Sequence, residues 1–182
     1  MSEAKTGGAT GQATGQATGS AAGQPEGRNR EGVPVFRIQK MYVKDLSFEN
    51  PGAPDVFLEQ GADPKADVQV KLQNRKLEGD NHYEVMMAIT AKVSNNKNGQ
   101  TMFIVELEHG GVFLLQNIPV AHLPAVLAVE CPALLFPFTR QIISQATVDG
   151  GFMPFLIDPI NFLALYENNR KQPEERAEPP KQ

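Results

Sequence analysis

The chain has 182 residues, with 17 lysines and arginines against 21 aspartates and glutamates, which gives a formal net charge of −4. That length favours one domain, and the acidic balance argues against a general binder of nucleic acid or anionic membranes. A single cysteine excludes an intramolecular disulfide and an all-cysteine metal site. There is no run of 18 apolar residues and no apolar leader segment, so we expect a soluble cytoplasmic protein that does not insert into the membrane.

Both ends of the chain are polar and poor in large apolar residues. Residues 1–34 contain two tandem copies of Gly-Gln-Ala-Thr, from Gly11 to Thr18, and residues 171–182 are charged and rich in proline. Such segments bury too little apolar surface to offset an ordering cost of about 1–2 kcal/mol per residue. We therefore predict disordered tails at 1–34 and 171–182 around one domain at 35–170. A partner-binding arm is the alternative for the first tail.

The first predicted element is a strand over residues 35–49, where apolar and polar side chains alternate. A period of two places alternate residues on one face of a strand. The apolar members of the pattern, all at even positions, are Phe36, Ile38, Tyr42, Leu46 and Phe48. Because this stretch is long for one strand, we expect a bulge or bend near Lys40. A long connection over residues 50–67 follows, and loops of that length are often functional.

Three more strands follow at short intervals along the chain. Alternation predicts them over residues 68–73, 83–93 and 100–109, and the polar run at 95–99 is typical of a hairpin turn. We expect Gly110 and Gly111 to interrupt the fourth strand at a bulge or bend. The connections are too short for crossover helices, so the sheet should be antiparallel.

Beyond Pro119 the apolar period changes to that of a helix. We predict helices over residues 121–130 and 133–148, with internal prolines marking starts or kinks. Asp158 and Pro159 suit the N-cap and first position of a last helix that ends by Pro173.

Strands followed by helices predict an α+β fold, here a four-stranded antiparallel sheet with C-terminal helices packed on one face. The other face and the edges of such a sheet invite another subunit.

Residues suited to catalysis or metal binding are few and scattered. The three histidines, which show no short metal-ligand spacing, are His82, His109 and His122. Cys131 lies at a helix boundary, as a buried structural thiol would. Asp45 and Glu49 share a strand face but are separated by about 13 Å along an extended strand, too far for acid–base cooperation. The sequence therefore predicts a protein that is not an enzyme and uses no metal or cofactor.

Four segments carry more distinctive residue combinations. They are FRIQKMYVKDLSFENP with APDVF at 36–57, ELEHGGVF at 106–113, ECPALLFPFTR at 130–140 and GFMPFLIDPINF at 151–162. Together and in this order, they resemble the SecB family of bacterial protein-export chaperones over residues 35–170. The resemblance implies a homotetramer, a dimer of dimers, that holds unfolded precursor proteins in the cytoplasm. It also implies delivery to the motor ATPase SecA without ATP or a catalytic residue.

The resemblance further implies which residues bind. Clients of the family lie in long apolar grooves, and the matching positions here are Tyr42, Phe48, Phe57, Leu58, Phe155, Leu156 and Phe162. SecA meets acidic residues on the outer face of the sheet, and these match Asp45, Glu49 and Glu106, with Ile104 as their apolar neighbour. Two features depart from the family: the stretch Gln60–Asp63 lacks the tryptophan found in some members, and the N-terminal repeat has no counterpart.

Two other functions remain open from the sequence. A small-ligand-binding α+β domain, or an enzyme of the hot-dog type, would need a closed pocket with convergent polar groups. A SecB-like chaperone of a toxin–antitoxin system would share the fold and grooves and differ only in its client. The acidic set Asp45, Glu49 and Glu106 favours export, since it matches the SecA-facing positions.

Overall fold

The computed structural model describes residues 32–175, and the side chains up to Lys171. Its strands are β1 (Val35–Glu49), β2 (Pro64–Lys76), β3 (His82–Asn95) and β4 (Thr101–Gln116). They form one antiparallel sheet in the spatial order β1-β4-β3-β2. The helices that follow are α1 (Leu123–Ala125), a π-helical turn (Val126–Glu130), α2 (Cys131–Asp149) and α3 (Phe162–Glu175). The predicted α+β class and antiparallel sheet are confirmed.

Most of both predicted tails lies outside the described residues. The described part of α3 continues to Glu175, beyond the predicted helix end at Pro173 and the predicted domain boundary at 170.

Two register shifts in β1 change which of its side chains face the helices. The pairing with β4 shifts between Ile38 and Lys40 and again between Val43 and Asp45. The first shift confirms the predicted bulge. Because each extra residue reverses the alternation, Tyr42 lies on the face opposite Ile38 and Phe48. The prediction that all five apolar residues share one face is therefore wrong for Tyr42.

Strand β4 runs unbroken through Gly110 and Gly111, so the predicted interruption there is wrong. The two glycines instead provide space on the two faces of the sheet. A Cβ at Gly110 would lie 2.7 Å from Cζ of Tyr42, and one at Gly111 would lie 2.9 Å from Cδ2 of Leu135. Gly110 thus lets Tyr42 lie across β4, and Gly111 lets α2 approach the sheet closely.

The two long predicted helices form one continuous helical stretch, Leu123–Asp149. The π-helical turn directly before α2 accommodates Pro132, which cannot donate a backbone hydrogen bond. By length and composition alone this stretch could cross a membrane. Its residues Leu135, Thr139 and Ile143 are fully buried, however, as expected of a core helix.

The last helix begins later than predicted, at Phe162 rather than after Asp158. Asn161 provides the cap, because its Oδ1 accepts a hydrogen bond of 3.0 Å from the backbone N–H of Ala164. The residues before it are held in a non-helical conformation. The backbone N–H of Phe155 donates to Oγ1 of Thr147, and Ile157 is buried.

The core lies between the helices and the odd-numbered side chains of β3 and β4. Met87, Leu107 and Phe113 are fully or almost fully buried there, in one cluster with Leu135 of α2. Burial of an apolar side chain of this size contributes about 1.5–3 kcal/mol. Cys131 is buried in the same cluster, which confirms the predicted structural thiol. Burial raises the pKa of Cys131 to about 12, so the thiol stays protonated.

Candidate functional site

Five phenylalanines from separate parts of the chain meet near the end of β1, and we call them the aromatic cluster. Phe48 belongs to β1, Phe103 to β4 and Phe57 to the β1–β2 connection, while Phe152 and Phe155 lie between α2 and α3. The ring centroids of Phe103 and Phe152 are 4.8 Å apart, and those of Phe57 and Phe152 are 5.2 Å apart. The rings of Phe48 and Phe103 stack at 5.7 Å. These distances are typical of favourable aromatic pairs.

Two glycines directly after α2 allow the chain to pass close to these rings. A Cβ at Gly150 would lie 2.2 Å from Cε1 of Phe48, and one at Gly151 would lie 3.1 Å from Cζ of Phe57. Gly151 also has a φ of +88°, a conformation that other residues rarely adopt. The positions of Phe48 and Phe57 therefore depend on this glycine pair.

The aromatic cluster is bordered by apolar side chains that face solvent. Phe57 is 48% exposed, and Leu58, Met153 and Leu156 are 78%, 84% and 62% exposed. Large apolar residues concentrated at one exposed place mark an interaction site rather than a core. We call the aromatic cluster together with Leu58, Met153 and Leu156 the aromatic surface.

Five of the seven residues predicted to bind clients belong to the aromatic surface. They are Phe48, Phe57, Leu58, Phe155 and Leu156.

The other two predicted groove residues, Tyr42 and Phe162, lie outside the aromatic surface. Tyr42 is on the opposite face of the sheet, because it lies between the two bulges of β1 and the first bulge reverses its direction. Phe162 is 6% exposed and packs edge-to-face on Phe136, with centroids 5.7 Å apart, because it begins α3 on the side that faces the core.

On the outer face of the sheet, carboxylates gather where β1 pairs with β4. The register places Asp45 opposite Glu108, and Glu49 opposite Ile104, while Glu106 lies between them on β4. The four residues predicted to meet SecA are thus neighbours on one face, and Glu108 joins them. We call Asp45, Glu49, Ile104, Glu106 and Glu108 the acidic patch.

The acidic patch is only partly neutralised within the described structure. Nζ of Lys44 lies 2.9 Å from Oε2 of Glu108. Oγ1 of Thr90 is 3.5 Å from Oε1 of Glu106, at the limit of a hydrogen bond. Asp45, Glu49 and Glu106 are exposed to solvent, so a basic partner can reach them.

Beside the acidic patch, a chain of polar side chains crosses the sheet. The hydroxyl of Tyr42 donates to Glu84, and Arg75 donates to the same carboxylate. Burial, followed by the bond to Glu84, raises the pKa of Tyr42 to about 12. Arg75, and then Tyr42, hold the pKa of Glu84 below its usual value. The phenol therefore stays neutral and the carboxylate ionised at ordinary pH, which suits a brace across the strands rather than proton transfer.

The groups that could do chemistry are dispersed. Among the described residues, no three His, Cys, Asp or Glu side chains come together to hold a metal. His109 is buried under α2, with its Nδ1 2.8 Å from Oγ1 of Thr139. Burial lowers the pKa of His109, so the ring is neutral near pH 7. This contact is a satisfied hydrogen bond within the core.

The sequence is similar to known proteins over most of its length. A family model described as preprotein translocase subunit SecB matches residues 29–173. The chain belongs to the SecB family. It is 55% identical over 144 residues to the protein-export protein SecB of Desulfotalea psychrophila, a match that covers 79% of this chain and 92% of the relative. It is 40% identical over 139 residues to that of Magnetococcus marinus, with 76% and 87% covered.

The SecB fold is also found among solved structures. A SecB-like chaperone of Mycobacterium tuberculosis, solved in complex with a peptide from an antitoxin, aligns with a TM-score of 0.58 and 13% identity. The alignment covers 69% of this chain and 90% of that one. At this identity the likeness concerns the fold alone.

Three members of the aromatic surface were not among the SecB-type groove residues predicted from the sequence: Phe103, Phe152 and Met153. Phe103 follows the inward alternation of β4, which by itself indicates a core residue. Phe152 stands directly after Gly150 and Gly151, and a glycine pair followed by an aromatic residue was the available signal of close packing.

Proposed function

We propose that this SecB-family protein is an ATP-independent export chaperone of the cytoplasm. It holds unfolded precursor proteins on the aromatic surface and delivers them to SecA through the acidic patch. The observation that carries the proposal is the separation of these two surfaces. The aromatic surface lies on the helix side of the sheet and the acidic patch on the outer side, so a client and a motor protein can be bound together.

Client capture follows from the size of the exposed apolar groups. Burial of one large apolar side chain contributes roughly 1.5–3 kcal/mol. Micromolar affinity requires about 8 kcal/mol, in addition to the cost of ordering the client. Several client side chains must therefore bind at once, and a folded protein does not offer them. The aromatic surface selects unfolded chains without reading their sequence.

We further propose that four copies associate as a dimer of dimers. Edge strand β1 exposes Phe36, Val43 and Leu46, and α2 exposes Leu134 and Phe138. Between β1 and α2 lies an open cleft of about 510 Å³, and Val43, Leu46 and Phe138 contribute to its lining. An uncovered strand edge with exposed apolar residues is favourable for pairing with a second copy. Several aromatic surfaces in one assembly would add avidity along one long client.

Export fits the relatives better than service to an antitoxin. The relatives at 40% and 55% identity are protein-export proteins, and the acidic patch supplies the charge that the proposed motor contact needs.

The proposal is tested by light scattering after size-exclusion chromatography, with and without a reduced, unfolded client. The chain contains no tryptophan, so a tryptophan-bearing client can be followed by its own fluorescence. We expect a mass of four subunits that co-elutes with the unfolded client and not with the same client folded. A monomer, or a tetramer that ignores the unfolded client, contradicts the proposal.

The motor contact is tested with Asp45→Asn combined with Glu49→Gln. We expect weaker SecA binding with unchanged client capture, and a weaker salt dependence, since exposed charges are screened beyond roughly 10 Å at 0.1 M salt. Glu78→Gln with Asp80→Asn is the matched control, because it removes the same charge from the exposed β2–β3 loop. Equal SecA affinity of the wild type and the patch variant would remove the acidic patch from the mechanism.

A further inference from the structure

The β1–β2 connection, residues 50–63, carries two residues of the aromatic surface and has little secondary structure of its own. It contains one 3₁₀ turn, Asp55–Phe57, whose Val56 is buried. Phe57 and Leu58 follow that anchor and are exposed. Residues 59–63 then lead to β2. A connection of this kind keeps a fixed shape only if something outside it holds the second half.

That second half is bonded to the β3–β4 hairpin turn. Nδ2 of Asn95 donates to Oε2 of Glu59 over 3.0 Å, and Nδ2 of Asn98 donates to Oε1 of the same carboxylate over 3.3 Å. The backbone N–H of Asn96 donates to the carbonyl of Asp63 over 2.7 Å. Nζ of Lys97 donates to the carbonyl of Gly61. The loop is therefore fastened at three successive points after Leu58.

Asn95 is the centre of these contacts and is only 4% exposed. Its Oδ1 accepts from the backbone N–H of Asp63 at 3.3 Å and from that of Lys97 at 3.1 Å, while its Nδ2 donates to Glu59. Both polar atoms of the Asn95 side chain thus take part in joining the loop to the hairpin turn. Glu59 is adjacent to Leu58 in the chain, so the hydrogen bond holds the residue that directly follows the exposed Phe57 and Leu58.

We propose that Asn95 and Glu59 form a clamp that positions Phe57 and Leu58 for client binding. This inference rests on the proposed function of the aromatic surface. Asn95 and Glu59 are positioning residues, since neither belongs to the aromatic surface itself. A loosened loop would still carry both apolar side chains, but it would have to be ordered again each time a client binds. The clamp therefore acts mainly on how long a client stays bound.

The test reverses the polarity of the hydrogen bond. Asn95→Asp keeps an acceptor for the two backbone N–H groups but sets a carboxylate against that of Glu59. Adding Glu59→Gln supplies an amide that can donate to the new carboxylate, while its oxygen can still accept from Asn98. We expect Asn95→Asp to weaken affinity for an unfolded client roughly tenfold, mostly through faster dissociation. The double variant should return to within about twofold of the wild type.

Asn74→Asp is the matched control, because it adds the same charge at an exposed position of edge strand β2. SecA affinity should be unchanged in all variants, since the acidic patch is on the other face. Unchanged client dissociation in Asn95→Asp, or a folded double variant that is not rescued, overturns the clamp. If Asn95→Asp does not fold, Glu59→Ala at an exposed loop position takes its place, and unchanged client dissociation there overturns the clamp equally.

Cleavage by chymotrypsin at Phe57 and Leu58 reports on the loop without any client. We expect faster cleavage in Asn95→Asp and recovery in the double variant. If the wild type ignores unfolded clients, the proposed function fails while this cleavage pattern still decides whether the clamp exists. If the wild type binds clients and cleavage is the same in all variants, the clamp fails alone.

Discussion

Replacement of Gly150 by alanine probes the packing of the aromatic surface with the smallest possible change. The new Cβ would lie 2.2 Å from Cε1 of Phe48. Carbon atoms in contact are about 3.5–4.0 Å apart, so the ring must retreat by at least about 1.3 Å. Gly150 has a φ of −76°, which alanine adopts readily, so backbone strain does not contribute.

The cost of that retreat can be worked out from the contacts of the Phe48 ring. Overpacking by one methyl group costs about 1–3 kcal/mol. The ring also gives up its stacking on Phe103, whose centroid is 5.7 Å away, and such a pair contributes about 0.5–1.5 kcal/mol. Together these contributions predict that Gly150→Ala lowers the free energy of unfolding by about 1.5–4.5 kcal/mol and weakens client binding.

Urea unfolding followed by circular dichroism measures the first effect, because the chain has no tryptophan to report it. Phe48→Leu provides the matched background, since leucine lacks the ring atoms that the new Cβ would meet. In the Phe48→Leu background, Gly150→Ala should lower the free energy of unfolding by less than about 1 kcal/mol. An equal cost in both backgrounds, or a cost below about 0.5 kcal/mol in the wild type, would refute the assigned position of Phe48.

The titrating groups lead to predictions at both ends of the pH scale, each measured by urea unfolding against pH. The pKa of Tyr42 is raised from 10.0 to about 12, so the stability that Tyr42 contributes is present below pH 10 and is lost as the pH rises through about 12. Tyr42→Phe should flatten the alkaline slope of the free energy of unfolding against pH. The pKa of Glu84 is lowered from 4.5, so the stability that Glu84 contributes is present above pH 4.5 and is lost as the pH falls through the folded-state pKa. In Glu84→Gln this acid loss of stability should disappear. The pKa of buried His109 is lowered from 6.5, so the folded state binds fewer protons than the unfolded state, and acidification below pH 6.5 destabilises the fold. If His109→Gln keeps the full slope of the unfolding free energy against pH in that range, this assignment is wrong.

The strands and their faces were largely predictable, because one buried face imposes a period of two. Phe103 and Leu107 alternate with Ile104 and Glu106 on β4 as expected, and that alternation placed Ile104 and Glu106 on one side of the sheet. Asp45 and Glu49 fall beside them because register follows from pattern.

Tyr42 and Phe162 show why other parts could not be predicted. The length of β1 predicts a bulge near Lys40, but the second shift, between Val43 and Asp45, has no such signal. The sequence therefore does not show that the stretch between the two bulges, which includes Tyr42, is inverted. The start of α3 was set by a competition between two plausible caps, Asp158 and Asn161. Tertiary contacts hold the preceding segment out of the helix, among them the hydrogen bond from Phe155 to Thr147. The helix therefore begins after Asn161, which places Phe162 on the side that faces the core.

The Asn95–Glu59 contact joins residues that are 36 positions apart. Polar residues in turns are common, and their partners depend on how two loops approach each other in space. Neither residue carries a local signal that distinguishes it from an ordinary turn residue.

The two bulges of β1 have a consequence for how this strand can vary. Together they restore the original alternation, so only the stretch between them is inverted relative to its flanks. Loss of one bulge alone would exchange the faces of every residue beyond it, moving Asp45 and Glu49 to the helix side and Phe48 to the outer side. The two irregularities should therefore be gained or lost only as a pair. Within one strand, substitutions at neighbouring positions can therefore alter the acidic patch and the aromatic surface independently.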